Sequence, residues 1–129
     1  MRRQLTISDK IIDEAALLRA TPLEAGMGAV VRFLGAVRPT EDGRPIKALD
    51  YEVFLEMAEH QFRLIFDQVE QRWPVSSVRL THRVGHVPAG EVSLWVEVIA
   101  PHRGEAFAAC QFLIDEMKRT VPIWKKTVT

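Results

Sequence analysis

The sequence predicts a single α+β domain over residues 1–129, with a mixed or antiparallel sheet and about three helices. Three stretches carry apolar residues at helical spacing, and the segments between them alternate apolar and polar residues, as strands do. Two pairs of strands follow one another without an intervening helix, which disfavours a doubly wound parallel sheet. Pro22, Pro74, Pro88 and Pro122 fall where elements should end, and no repeat or linker divides the chain.

The first half of the chain is predicted to hold a helix, two strands and a second helix. Ser8 or Asp9 can cap the first helix, and its period is marked by Ile11, Ile12, Ala15, Leu18 and Arg19. The run GAVVRFLGAVR (28–38) predicts a strand with a bulge or a close backbone approach at Gly35. A second strand follows in IKALDYEVF (46–54), and a helix from about Glu56 to Arg72 buries Phe62, Phe66, Val69 and Trp73.

The second half is predicted to hold an antiparallel strand pair and a final helix. The pair is SSVRLTHRVG and EVSLWVEVIA, separated by HVPAG. In the second of these strands, one side is formed by Val92, Leu94, Val96 and Val98. From His102 to Arg119 the spacing predicts a helix that buries Phe107, Cys110, Ile114 and Met117. Lys118 then falls at the border of the buried face.

Composition and charge exclude several classes of function. Seventeen basic and seventeen acidic residues give a formal net charge of zero, so the chain lacks the electropositive field of a nucleic-acid or anionic-membrane binder. Any anion site must therefore be local. No run reaches the length of a membrane span, and no secretory signal is recognisable. A single cysteine fits a reducing compartment, so the expected location is the cytoplasm.

Metal and nucleophile sites are not predicted. His82 and His86 lie four residues apart on a strand that enters a turn, a spacing that does not converge two ligands there. Nucleotide-binding glycine loops and the GxSxG motif are absent. Cys110 sits among apolar helix residues, where packing is the commoner role.

Basic residues supply the candidate chemistry. His102 and Arg103 stand at the start of the last helix, where backbone N–H groups favour an anion, and Arg38 leaves a strand into a loop. In MKRTVPIWKK, Lys118, Lys125 and Lys126 surround an apolar wall, which could favour proton transfer by a partly desolvated lysine. Solvated surface charges explain the same spacing, and spacing alone leaves the two interpretations open.

Five collinear segments resemble the large, catalytic subunit of molybdopterin synthase. They are FLGAVR (33–38), LDYEVFLEMA (49–58), RWPVSSVRLTHRVG (72–85), PHRGEAFAACQFLIDEMK (101–118) and VPIWKK (121–126). The resemblance implies an α+β fold and a homodimer that binds two small ubiquitin-like sulfur-carrier subunits to form a heterotetramer. It further implies that a Gly-Gly thiocarboxylate on the small subunit supplies sulfur, so that no permanently bound cofactor is needed. The implied substrate is cyclic pyranopterin monophosphate (precursor Z), which becomes the molybdopterin dithiolene.

The resemblance also assigns residues. Lys118 and Lys125 match the family's catalytic lysines, in a K-x(6)-K arrangement. The substrate-binding positions fall on Phe33, Arg38, His102, Arg103 and Lys126. Members usually continue past the lysine pair with an acidic, tryptophan-containing tail, whereas this chain stops at KKTVT, so we expect a domain shortened at its C-terminus. Two alternatives are a non-catalytic module that holds a ubiquitin-like tail or an anionic metabolite, and a purely structural α+β dimer.

Overall fold

The computed structural model describes residues 1–129 and contains three α-helices and nine β-strands. The helices are α1 (Glu14–Arg19), α2 (Leu55–Arg72) and α3 (Arg103–Thr120). The strands are β1 (Arg2–Ser8), β2 (Ala29–Ala36), β3 (Thr40–Glu41), β4 (Arg44–Pro45), β5 (Ala48–Val53), β6 (Ser77–Arg83), β7 (Gly85–Pro88), β8 (Val92–Ala100) and β9 (Ile123–Val128). None of the helices is long and apolar enough to cross a membrane.

Two sheets organise the chain. The larger has strand order β1-β6-β8-β2, in which only the β1–β6 pair is parallel. The smaller has order β7-β5-β9 and is antiparallel throughout, and β3 and β4 form a separate two-stranded hairpin. The predicted α+β class with a mixed sheet is confirmed, and so is the antiparallel pairing of β6 with β8.

The main core lies between the larger sheet and the two long helices. Apolar side chains of α2 and α3 pack on one face of the sheet with Val78, Leu80, Val96 and Val98. The opposite face of β8 is covered too, so its whole length from Ser93 to Ala100 is buried. A second, smaller cluster of buried apolar residues supports the three-stranded sheet, and it consists of Val37, Ile46, Leu49 and Val87.

The predicted first helix is wrong in its start and its burial. Residues 2–8 form β1, which pairs in parallel with β6, and the helix begins only after Asp13, whose side chain accepts a hydrogen bond from the Ala16 N–H. This helix has no buried residue, and Ile11 is 73% exposed. Leu5 and Ile7 alternate with polar residues, which is typical of a strand, and pairing with β6 stabilises residues 2–8 in that conformation.

Other local predictions fare better. The register of β2 against β8 shifts between Gly35 and Ala36, which confirms the bulge. Helices α2 and α3 lie where they were predicted, within one residue at each end. Phe107 is a correction: it is 61% exposed, because the buried stripe of α3 centres on Ala106, Cys110 and Met117 and leaves Phe107 at its edge.

The segment after Pro122 forms a strand that the sequence did not predict. Residues 123–128 are β9, an edge strand paired with β5. The predicted apolar wall is present, because Ile123 and Trp124 line a common cavity with Lys118 and Lys125. β-Branched and aromatic residues favour this conformation, and the free edge of β5 supplies the partner. The chain therefore turns back at Pro122 and runs past the end of α3.

Candidate active site

A cavity of about 610 Å³ opens where the two sheets and the end of α3 meet. Its walls come from β2 and the residues after it, from β5 and β9, and from the last turn of α3. Four residues that the sequence singled out line it together: Phe33, Arg38, Lys118 and Lys125. Residues 33 and 125 are far apart in sequence, so only the tertiary fold brings these groups to one place.

The two lysines approach from different elements. Lys118 lies in the last turn of α3, where the negative end of the helix dipole favours a cation, and it makes no ion pair within the chain. Lys125 lies on β9 opposite Tyr51 of β5. Because α3 ends at Thr120 and β9 starts at Ile123, a two-residue connection is enough to bring both lysines to the same cavity.

A carboxylate lies between two of the cations. Glu41, from the β3–β4 hairpin, places Oε1 3.6 Å from Lys125 Nζ and Oε2 4.0 Å from Arg38 Nη2. The hairpin can present Glu41 here because Asp42 and Gly43 both adopt positive φ, at 52° and 75°. The charged groups lining the cavity are thus three cations and one carboxylate, which favours an anionic ligand.

The other three predicted residues lie outside this cavity. Arg103 begins α3, fifteen residues before Lys118, so the two are separated by about 22 Å along the helix. His102 immediately precedes α3, is largely exposed and has Nδ1 3.6 Å from Glu105 Oε1. Lys126 is exposed and has Nζ 3.6 Å from Glu52 Oε1. Within one copy of the chain, these residues do not join Lys118.

Sequence reasoning missed several polar residues of the cavity, namely Glu41, Tyr51, His82 and Ser93. In the sequence, His82 stands out only through its spacing from His86, which does not suit a metal site. The structure buries His82, whereas His86 is exposed and its Nδ1 lies 2.7 Å from Asp50 Oδ1. Tyr51 and His82 lie on strands that carry several other polar residues, so no signal in the sequence set them apart. Nothing in the sequence pointed to Glu41.

Cys110 is a packing residue, as predicted. It faces the core from the middle of α3, and burial raises the pKa of its thiol to about 11. A thiol with such a pKa is almost fully protonated at neutral pH, and the thiolate is the nucleophilic form. Cys110 does not line the cavity and offers it no nucleophile.

Comparison with known proteins places the chain in a family. The family model described as MoaE protein matches residues 7–120. The chain belongs to the MoaE family. A molybdopterin synthase catalytic subunit of Homo sapiens is 38% identical to this MoaE family member over 117 residues, which cover 91% of the chain and 61% of the human protein. The chain thus spans about three fifths of the length of that relative.

Solved structures share the MoaE fold. A molybdopterin synthase structure from Staphylococcus aureus superposes with a TM-score of 0.85 at 31% identity, covering 97% of this chain and 89% of that one. A complex of subunits 1 and 2 of molybdopterin-converting factor from Helicobacter pylori has a TM-score of 0.76 at 24% identity, covering 98% and 88%. At that identity, the second likeness concerns the fold alone.

Proposed function

We propose that this chain is the catalytic subunit of a molybdopterin synthase. In this role it transfers sulfur from the C-terminal thiocarboxylate of a small ubiquitin-like subunit to cyclic pyranopterin monophosphate, which makes the dithiolene of molybdopterin. The observation that carries the proposal is the convergence of Arg38, Lys118 and Lys125 on one cavity. Both reactants are anionic, and a cluster of cations in a concave site lowers the cost of bringing them together. The human relative, a molybdopterin synthase catalytic subunit, supports a role in the same synthesis.

The roles follow from position and charge. Lys118 carries no ion pair and is free to handle the acyl or proton-transfer chemistry at the thiocarboxylate. Lys125 stabilises negative charge that develops during sulfur transfer, and Arg38 binds the substrate phosphate. Phe33 offers an aromatic wall for the pterin ring. Sulfur arrives on the partner subunit, so the reaction needs no cofactor held permanently by this chain.

An apolar rim beside the cavity suits the small subunit. Phe33 and Trp124 line the cavity and are 37% and 40% exposed. Phe54, which is 62% exposed, packs edge-on against Trp124 with ring centroids 5.2 Å apart. Partly exposed aromatic residues in a cluster are typical anchors of protein interfaces. Through this rim, the small subunit would reach the cavity with its C-terminal tail.

A second copy of the chain would supply His102 and Arg103. Arg103 lies about 22 Å from Lys118 along α3 in one copy, and His102 precedes it, so one small substrate cannot bridge the distance. Arg103 and Phe107 are four residues apart on α3, so they share a face, and both are exposed. An exposed aromatic beside an arginine fits a contact between copies. In the proposed homodimer, this contact would carry Arg103 of each copy to the cavity of the other.

Mixed-variant complementation tests both the activity and the shared site. Thiocarboxylated partner and cyclic pyranopterin monophosphate are supplied, and dithiolene formation is measured. Lys118→Ala and Arg103→Ala should each be inactive alone while still binding the partner. After the two variants are unfolded and refolded together, half of the dimers are mixed, and each mixed dimer has one intact site. About a quarter of the wild-type activity should return.

The outcomes separate the hypotheses. If both residues act within one copy, the mixture stays inactive and the shared site is refuted. If the wild-type chain binds the partner but never consumes the thiocarboxylate, the catalytic proposal fails and a non-catalytic binding module takes its place. Lys126→Ala is the matched control, because Lys126 points to Glu52 outside the cavity. Its loss should leave turnover close to that of the wild-type chain.

A further inference from the structure

The wall of the cavity contains a buried histidine. His82 lies on β6, is 5% exposed and lines the cavity together with Lys118 and Lys125. Its ring packs edge-on against Tyr51, with centroids 5.2 Å apart. A buried polar ring is costly unless its nitrogen atoms are hydrogen-bonded, so the partners of each nitrogen matter.

One ring nitrogen is satisfied within the chain and the other is not. Nδ1 lies 2.8 Å from the backbone carbonyl oxygen of Arg83. A carbonyl oxygen only accepts hydrogen bonds, so Nδ1 must carry a proton and donate it. Nε2 has no hydrogen-bond partner in the chain, although its ring faces the cavity. In the neutral ring, Nε2 therefore presents a lone pair.

The environment of His82 keeps the ring neutral. Burial lowers the pKa of His82, since the charged imidazolium would lose its hydration. The hydrogen bond to the Arg83 carbonyl oxygen raises the pKa, but burial is the larger effect and the net shift is downward. A neutral ring with a protonated Nδ1 can accept a hydrogen bond at Nε2 but cannot donate one.

The neighbouring hydroxyls strengthen this pattern. The Tyr51 hydroxyl donates to Ser93 Oγ at 3.3 Å, and Ser93 Oγ donates to the Gly35 carbonyl oxygen at 3.4 Å. With its proton directed to Ser93, the Tyr51 oxygen also remains available as an acceptor. The cavity thus has acceptors on the wall formed by β5 and β6, and cations on the parts formed by α3, β9 and the end of β2.

We propose that His82 Nε2 is a ligand-binding residue that accepts a hydrogen bond from an N–H or O–H group of the molecule held in this cavity. The favoured ligand has an anionic end for the cations and a hydrogen-bond donor for the acceptor wall. This inference rests on the proposed function, which supplies two such molecules. The N–H groups of the pterin are one source of the donor, and a backbone amide of the partner's Gly-Gly tail is the other.

Two substitutions separate a binding role from a structural one. His82→Asn keeps a donor near the position of Nδ1, and so the bond to the Arg83 carbonyl, but removes the acceptor at Nε2. His82→Gln returns an amide oxygen near the position of Nε2. Affinities for cyclic pyranopterin monophosphate and for the thiocarboxylated partner are measured separately by titration calorimetry. Thermal unfolding of both variants reports any structural effect.

We expect His82→Asn to weaken binding of the pterin about tenfold, because this factor corresponds to the loss of one net hydrogen bond. The melting temperature of the variant should stay near that of the wild-type chain. His82→Gln should recover part of that loss. A loss for the partner instead would identify the tail amide as the donor. Unchanged affinity for both ligands would overturn the inference. If the wild-type chain bound neither ligand, the proposed function itself would fail.

A measurement on the wild-type chain tests the same contact without any substitution that could disturb folding. The ¹⁵N resonance of His82 Nε2 is followed while ligand is added. Accepting a hydrogen bond should shift this resonance away from the value of a free, unprotonated nitrogen and towards that of a bonded one. A resonance that does not move at saturating ligand would refute the proposed contact without any substitution.

Discussion

Glu97→Gln should strongly destabilise the fold, because this substitution removes the buried charge that pairs with the buried Arg79 and with the more exposed Arg32. Glu97 is fully buried on β8. Arg79 donates from Nε and Nη2 to its two carboxylate oxygens, at 2.8 and 2.9 Å, and Arg32 Nε donates to Oε2 at 2.9 Å. Arg79 also donates to the Leu17 carbonyl oxygen at 2.8 Å, which ties α1 to the larger sheet.

The expected loss of stability follows from the arginine charge that the glutamine no longer neutralises. Arg79 is only 3% exposed, so its charge would stay buried without a counter-charge. Removing one partner of a buried ion pair typically costs about 3–5 kcal/mol. At about 2.1 cal/mol/K per residue, a chain of 129 residues has an unfolding entropy of about 0.27 kcal/mol/K near 60 °C. The melting temperature should therefore fall by about 11 to 18 °C.

The fall in melting temperature is measured by calorimetry and by circular dichroism on the wild-type chain and on Glu97→Gln. The matched control is Glu116→Gln, which breaks the surface pair with Arg119 on α3 and should cost less than about 1 kcal/mol. A drop below about 3 °C for Glu97→Gln would refute the reasoning, because it would mean that Arg79 needs no carboxylate in the interior. A drop of similar size in both variants would mean that burial is not the cause.

Three further predictions concern other parts of the chain. Glu41→Gln removes the repulsion between the Glu41 carboxylate and a bound anion, which is about 1 kcal/mol for charges roughly 8 Å apart at an effective dielectric constant near 40. Inorganic phosphate should therefore bind about fivefold more tightly in a calorimetric titration. Unchanged binding would contradict this. Gly28→Ala puts a Cβ 2.7 Å from the Pro101 carbonyl oxygen and should cost about 2 kcal/mol in chemical unfolding, whereas Gly104→Ala, with no neighbour within 4 Å, should cost nothing. With its thiol pKa raised to about 11, Cys110 should react with iodoacetamide at pH 8 at least about a hundredfold more slowly than after unfolding, and comparable rates would show that the thiol is accessible.

The long elements could be predicted because their signals are local. In α2 and α3, apolar residues recur at helical spacing over 18 residues each, and one such stripe can only be buried against a partner surface. The position of Lys118 at the border of the buried stripe follows from the same period. The bulge at Gly35 and the antiparallel pairing of β6 with β8 were equally visible in the sequence.

The short edge elements were not decided locally. Residues 2–8 and 123–128 become strands because β6 and β5 offer free edges, and those edges exist only after distant segments have paired. The sequence alone predicts a helix that starts at Ser8 or Asp9, since Ile11, Ile12 and Ala15 fit a helical period, whereas the helix begins at Glu14. Tertiary pairing overrides such weak propensities.

What the sequence by itself determined is the class of the fold, the two long helices and a set of basic residues suited to an anion. Only the tertiary structure decided which of these residues lie together. It gathers Arg38, Lys118 and Lys125, adds Glu41 and His82, and leaves His102, Arg103 and Lys126 outside the cavity. The physical reason is that periodicity reports burial along one element, whereas a site is made by contacts between elements that are distant in sequence, and no local pattern records those contacts.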